Sequence, residues 1–144
     1  LITEEYGPRL RLGRIFTDLP LTVSRPKSFG VKEFCSVCDR CAAACPPKAI
    51  PNDAPSTRIY NRSNLIGVNK WTVDAEKCFK FWVNQNTDCS ICIRVCPYNR
   101  DYSRWYNRIW RKLAGSPLRR LALWLDDQFS NRIRKKSVSW WRES

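Results

Sequence analysis

The chain of 144 residues contains no histidine and no methionine, and only 5 glycines. Without histidine the mixed Cys/His zinc sites are excluded, and a zinc-stapled module would have to use cysteine alone, favouring paired C-x2-C with longer gaps. Without methionine there is no initiator, which reads as a processed chain or a partial one whose N-terminal part is missing. With 5 glycines and 9 prolines the composition is neither collagen-like nor that of a disordered chain. No apolar run reaches the length of about 18 residues that a spanning helix needs. The opening LITEEYGPRLRLG carries two acids and lacks the basic, apolar, small-residue order of a signal peptide.

What is present is enough for one packed domain: 43% of the residues are hydrophobic. The formal charge is +13, from 26 Lys and Arg against 13 acids. Such an excess points to anionic partners unless the protein carries its own anions. Residues 100–144 hold 12 of the basic residues and 4 acids, a pattern that solvated helix faces explain.

The 8 cysteines supply the built-in anions. They fall into Cys35-x2-Cys38-x2-Cys41-x3-Cys45-Pro46 and Cys78-x10-Cys89-x2-Cys92-x3-Cys96-Pro97. The first is the complete bacterial ferredoxin run, in which three thiolates wrap one corner of a cubane and the fourth serves the other cluster. By that rule Cys35, Cys38, Cys41 and Cys96 hold one 4Fe-4S cluster, and Cys45, Cys78, Cys89 and Cys92 hold the second. Crossed ligation ties the halves together, so losing metal should unfold the domain. Disulfides fit this spacing poorly.

Around the cysteines, LRLGRIF (10–16) alternates as a strand and the proline-bearing stretch to Gly30 reads as an extended surface connection. Residues 39–45 start a short helix that Pro46 and Pro47 end. Residues 51–70 are a polar insertion that a minimal ferredoxin does not need. Residues 70–73 suggest a short strand, and Asp74 is a candidate N-cap for a helix carrying Cys78 and Trp82, with a turn over 84–88. Tyr102, Trp105, Tyr106, Ile109, Trp110 and Leu113 form one helical stripe. Gly115, Ser116 and Pro117 end that helix and cap the next, whose expected buried side is Leu118, Leu121, Leu125 and Phe129. The fold class predicted is α+β: a bacterial ferredoxin-like two-cluster 4Fe-4S domain with an insertion and a C-terminal helical hairpin.

The stretches GRIFTDLPL (13–21), FGVKEFCSVCDRCAAACPPKAI (29–50), KWTVDAEKCFKFW (70–82), DCSICIRVCPYNR (88–100) and WLDDQF (124–129), with Trp140 and Trp141, together resemble the C-terminal iron–sulfur region of the corrinoid-dependent reductive dehalogenases. The resemblance implies residues 1–30 as the connection from a corrinoid-binding part, 31–100 as the two-cluster domain and 101–144 as a helical extension. It implies electron transfer through two 4Fe-4S clusters to a corrinoid cobalt, which reductively removes halide from an organohalide. The proton donor of that family lies in a part upstream, so residues 1–144 alone are expected to be inactive. Within them, Arg9 or Arg11 is a candidate for the substrate pocket, and Trp71, Phe81 and Trp82 either wall the corrinoid or substrate site or pack over a cluster. Tyr98 reads as a packing residue. The implied partners are the organohalide, an electron donor of the respiratory chain and a small integral-membrane anchor protein, with no nucleic acid. The implied location is the exported face of the cytoplasmic membrane, peripherally. The rival readings are a stand-alone two-cluster ferredoxin and an epoxyqueuosine-reductase-like cobalamin enzyme.

Overall fold

Short helices arranged around the cysteine loops make up the architecture. A computed structural model describes residues 2–25, 27–62 and 64–129. Among them the elements are α1 (Val31–Cys35), α2 (Arg40–Ala44), α3 (Ala75–Gln85), α4 (Ile91–Val95), α5 (Trp105–Gly115) and α6 (Arg119–Phe129). Helix α2 packs on α4, α5 on α6, and α1 on α5.

The cysteine repeat is a structural repeat. Helix α2 carries Cys41 and ends at Cys45, whose N–H bonds Ala42 O at 3.3 Å; α4 carries Cys92 and ends at Cys96, whose N–H bonds Ile93 O at 3.3 Å. Both terminal cysteines are extended, with ψ of 114° and 127°. Each precedes a proline, whose ring disfavours the helical conformation in the residue before it. The Cys-Pro pair thus stops each helix at the ligand and turns the chain away.

Asp74 caps α3 as expected, its side chain accepting from the Lys77 N–H at 3.2 Å. The helix runs on to Gln85, past the start of the expected turn, and closes at Asn86 in the left-handed region. Helix α1 was not anticipated. It begins at Gly30, whose φ of 81° brings its Cα face so near α5 that an added Cβ would lie 2.4 Å from Gly115 Cα.

The strands expected at 10–16 and 70–73 do not form. Among the described residues β pairing is confined to the isolated bridges Thr3–Gly7 and Ser56–Lys70. Residues 11–25 are extended and exposed, with Ile15 and Phe16 more than nine-tenths accessible. An extended segment with no neighbour to pair with makes no ladder. The described part is therefore helical and strand-poor, and its expected α+β character rests on two bridges alone.

The core is Phe34, Tyr98, Trp110, Ala114 and Ala122. Phe34, Tyr98 and Trp110 meet edge to face at centroid distances of 5.3 to 5.5 Å, the arrangement that the ring quadrupoles favour. The C-terminal hairpin forms, but its buried faces differ from those expected. Helix α5 starts at Trp105 because Asp101 Oδ1 takes the Ser103 N–H and hydroxyl in a local turn. It buries Asn107, Trp110 and Ala114, leaving Trp105, Tyr106 and Ile109 exposed. Helix α6 buries Ala122 and Asp126, while Leu118, Leu121 and Phe129 are exposed. Close packing through the two alanines, and an ion-pair centre at Asp126, set the hairpin's rotation in place of the larger apolar stripe. Ser116 caps α5 and also accepts the Leu118 N–H at 3.2 Å, so α6 begins only at Arg119. Trp140 and Trp141, with residues 130–144 of the extension, lie outside the described residues.

Candidate metal centre

All eight cysteines are free thiols, half-buried or buried. Their mutual electrostatic effects include pairs that crossed ligation would bring together, and also Cys41 with Cys45 across the two sets. Burial pushes Cys35 up to about 12, and the charges adding to that shift are those of Cys96, then Cys38 and Cys41. Burial also raises Cys78, with Cys45 and then Cys89 as the next causes. Each set of four expected from spacing is thereby represented across the sequence gap: Cys35 beside Cys96, and Cys78 beside Cys45. Cys92 is raised by burial and has Cys89, Cys41 and Cys78 around it, so the two sets adjoin.

Such a concentration of thiols in a partly dry interior opposes ionisation, and the backbone opposes the opposition. The Ala49 N–H donates to Cys45 Sγ at 3.3 Å. N–H groups of Arg40, Ala42 and Ile93 lower the pKa of Cys38, Cys41 and Cys92 respectively, against the dominant effect of burial. The Arg40 guanidinium acts on Cys38 in the same direction. Hydrogen bonds to sulfur are the means by which a protein stabilises and tunes an iron–sulfur centre. Among the described residues no three His, Cys, Asp or Glu side chains are gathered to hold a single metal ion.

Cys35, Cys38 and Cys41 also line one cavity of about 510 Å³, whose other walls include Asp53, Pro55 and Trp71. The insertion thus folds back over the first cysteine loop. It is closed at its base by paired Ser56–Lys70 hydrogen bonds of 3.0 Å, and the Trp71 indole N–H reaches Asp53 O at 2.9 Å. Four soft ligands per set, N–H donors aimed at sulfur and a hollow beside three of the thiols fit two 4Fe-4S clusters.

The remaining candidates are distributed. Trp71 stands at the first cysteine set. Phe81 and Trp82 lie on α3, three and four residues after Cys78 and hence on its face of the helix; Phe81 is half-buried and Trp82 is exposed. No cavity among those described unites the three. Arg9 is fixed to the cluster domain, its Nη2 donating to Arg100 O at 2.8 Å and its Nε to Tyr6 O at 3.4 Å. Arg11 is exposed in the extended connection.

Sequence reasoning missed the polar centre that joins the cysteine loops to the hairpin. Asp126, fully buried, pairs with both Arg40, which lies between Cys38 and Cys41, and Arg100, four residues beyond Cys96. Arg40 also reaches Asp127 at 2.8 Å. Arg100 covers the Trp110 ring at 4.2 Å and donates to Asn107 Oδ1 and Pro97 O, each at 3.0 Å. The available signal was an acid in the interior register of an apolar helix, with one arginine inside the first cysteine motif and another just after the second.

Residues 34–99 match the 4Fe-4S double cluster binding domain. The chain is 37% identical over 122 residues to a tetrachloroethene reductive dehalogenase of Desulfitobacterium hafniense, covering 82% of this chain and 22% of that protein. It is 40% identical over 102 residues to a tetrachloroethene reductive dehalogenase of Sulfurospirillum multivorans, covering 69% and 20%. Similarity to an epoxyqueuosine reductase of Synechococcus sp. (strain RCC307) is lower, 25% over 157 residues, covering 96% and 42%. No solved structure matches the chain. It spans about a fifth of the length of the dehalogenases it matches. With a double-cluster domain and this level of identity over most of its length, the chain belongs with the reductive dehalogenases, as a homologue of their iron–sulfur region.

Proposed function

We propose that the chain passes single electrons through two 4Fe-4S clusters to a corrinoid cobalt, as the iron–sulfur region of an enzyme that replaces carbon–halogen by carbon–hydrogen. The observation that carries the electron-transfer part is the crossed neighbourhood of the thiols, Cys35 with Cys96 and Cys78 with Cys45. It brings both sets into one small domain, so that two centres stand in series. The chain's residues do three things toward this. They supply eight thiolates, direct backbone N–H groups at the sulfurs, and cover the first set with the insertion and Trp71.

A corrinoid, when bound, supplies the low-valent cobalt that acts on the organohalide; position, dielectric and water exclusion are the protein's share. Exposed apolar side chains of the connection, Ile15, Phe16 and Leu19, and of α3, Phe79 and Trp82, support the reading that a further part of the protein and its cofactor cover these surfaces. Phe81 and Trp82 are the proposed wall beside the second cluster, Trp71 the wall beside the first. Arg11, or Arg9, is proposed to carry positive charge toward the substrate pocket, where a fixed cation stabilises departing halide. The organohalide, a respiratory electron donor, a small integral-membrane anchor protein and an exported peripheral location belong to the same proposal. No helix among the described residues is long and apolar enough to cross a membrane.

Anaerobic reconstitution tests the reading: about eight irons and eight sulfides per chain on two 4Fe-4S clusters are expected, and zinc in their place would refute it. Full-length protein loaded with corrinoid should release halide from an organohalide. Turnover of epoxyqueuosine instead would move the chain to its more distant relatives.

A further inference from the structure

Tyr98 is 1% exposed, its ring held edge-on by Phe29, Phe34 and Trp110 at 6.0, 5.3 and 5.4 Å. These contacts explain a ring at this position but not a hydroxyl, because Tyr98 Oη is buried with no hydrogen-bond partner. A buried unpaired hydroxyl is destabilising, and phenylalanine would fill the same space without it.

The hydroxyl's surroundings belong to one cysteine set. Phe34, against which the ring packs, precedes Cys35, and Cys38 and Cys96 border the core cluster that contains Tyr98. Burial raises the phenol, and the thiols that add to the effect are Cys35, Cys96 and Cys38, with the Tyr102 phenol ranking after Cys35. All three of these thiols belong to the set of Cys35, Cys38, Cys41 and Cys96. The internal repeat sharpens the asymmetry: two residues after Cys96 stands Tyr98, whereas two residues after Cys45 stands Pro47, which has no donor.

We propose that Tyr98 Oη donates a hydrogen bond to a sulfur of the cluster held by Cys35, Cys38, Cys41 and Cys96, raising the reduction potential of that cluster. The proposal rests on the double-cluster reading above. Reduction adds negative charge to the iron–sulfur core and its ligands, so an O–H dipole aimed at sulfur stabilises the reduced form more than the oxidised one. Pro47 cannot provide the same bond to the other cluster, so this hydroxyl acts on one cluster alone.

The test is an EPR-monitored redox titration of the full-length protein carrying both clusters. Iron and sulfide content is determined first; a parent protein without two 4Fe-4S clusters defeats the underlying reading and not merely this one. In Tyr98→Phe, with iron content unchanged, the potential of the cluster ligated by Cys96 is expected to fall and that of the other to stay. Incorporation of 3-fluorotyrosine at position 98 keeps the hydroxyl and makes it a stronger donor, so the same potential is expected to rise. Should the phenylalanine variant fail to assemble its clusters, the fluorotyrosine protein decides alone. An unmoved potential in a fully loaded variant, or shifts of the same sign in both, overturns the proposal.

Discussion

Replacing Asp126 by asparagine should destabilise the cluster-bearing protein by about 3 kcal/mol. The carboxylate is fully buried and accepts from Arg40 and Arg100, whose side chains are 13% and 11% exposed. Removing one partner of a buried ion pair costs about 3–5 kcal/mol, chiefly because the surviving charge is left uncompensated. The lower end applies because both arginines keep other partners: Arg40 retains Asp127, and Arg100 retains Asn107, Pro97 and the face of Trp110. With a urea slope of about 1–3 kcal/mol/M, the midpoint should fall by about 1–3 M. The assay is anaerobic urea titration followed by tryptophan fluorescence and by iron release, comparing midpoints, since cluster proteins do not unfold in two states. Asp127→Asn is the control: its side chain is 45% exposed, so its pair with Arg40 is worth no more than about 1 kcal/mol. If Asp126→Asn moves the midpoint no more than Asp127→Asn, the buried centre does not hold the hairpin to the cysteine loops.

Cys78→Ser should halve the iron of the reconstituted protein, from about eight to about four per chain, and spare the cluster containing Cys96; loss of both EPR signals would contradict separate ligand sets. Gly30→Ala should cost more than the about 1–2 kcal/mol of a left-handed residue, since its Cβ would also meet Gly115 Cα at 2.4 Å; the urea midpoint reports this, and an unchanged midpoint would mean that α1 and α5 are not in contact. Asp74→Ala removes the N-cap of the helix bearing Cys78 and should cost about 1 kcal/mol, seen as faster iron loss to a chelator from the second cluster only. Burial holds Cys35 protonated up to about 12 in the metal-free chain. Iron binding must therefore expel protons, and retention of iron against a chelator should keep strengthening as pH rises toward about 12, with no levelling at the about 8.5 of an ordinary thiol; a flat profile would show that the thiolates are already formed.

The parts of the site legible in the sequence were those in which one residue type does one job at fixed spacing. Cysteine followed by proline stops a helix whatever surrounds it, so the short helix α2 and its end at Cys45 could be read directly. Asp74 as a cap is equally local, a carboxylate three residues before an amide it can reach. The hairpin faces were not local. A count of apolar residues favoured Leu118, Leu121 and Phe129, yet the interior took Ala122 and Asp126. Small side chains let α5 and α6 approach, and two arginines carried in by the cysteine loops required an anion at their meeting point. Neither condition is visible within the helix that meets it.

That meeting point gives the crossed ligation a protein counterpart. Arg40 rides on the loop of the first cysteine set and Arg100 on the exit from the second, and Asp126 accepts from both. On the proposed ligation, a cubane held by Cys35, Cys38, Cys41 and Cys96 would join the same two segments through metal, so that they would be tied twice, once by thiolates and once by a carboxylate. The second tie does not itself depend on iron, and it would favour bringing Cys96 near Cys35 as a cluster assembles. Full-length protein stripped of iron should accordingly regain the cluster containing Cys96 faster than Asp126→Asn does, while the cluster containing Cys78 returns at the same rate in both. Equal rates for the first cluster would confine Asp126 to stabilising the hairpin and leave the assembly of the ligand set to the metal.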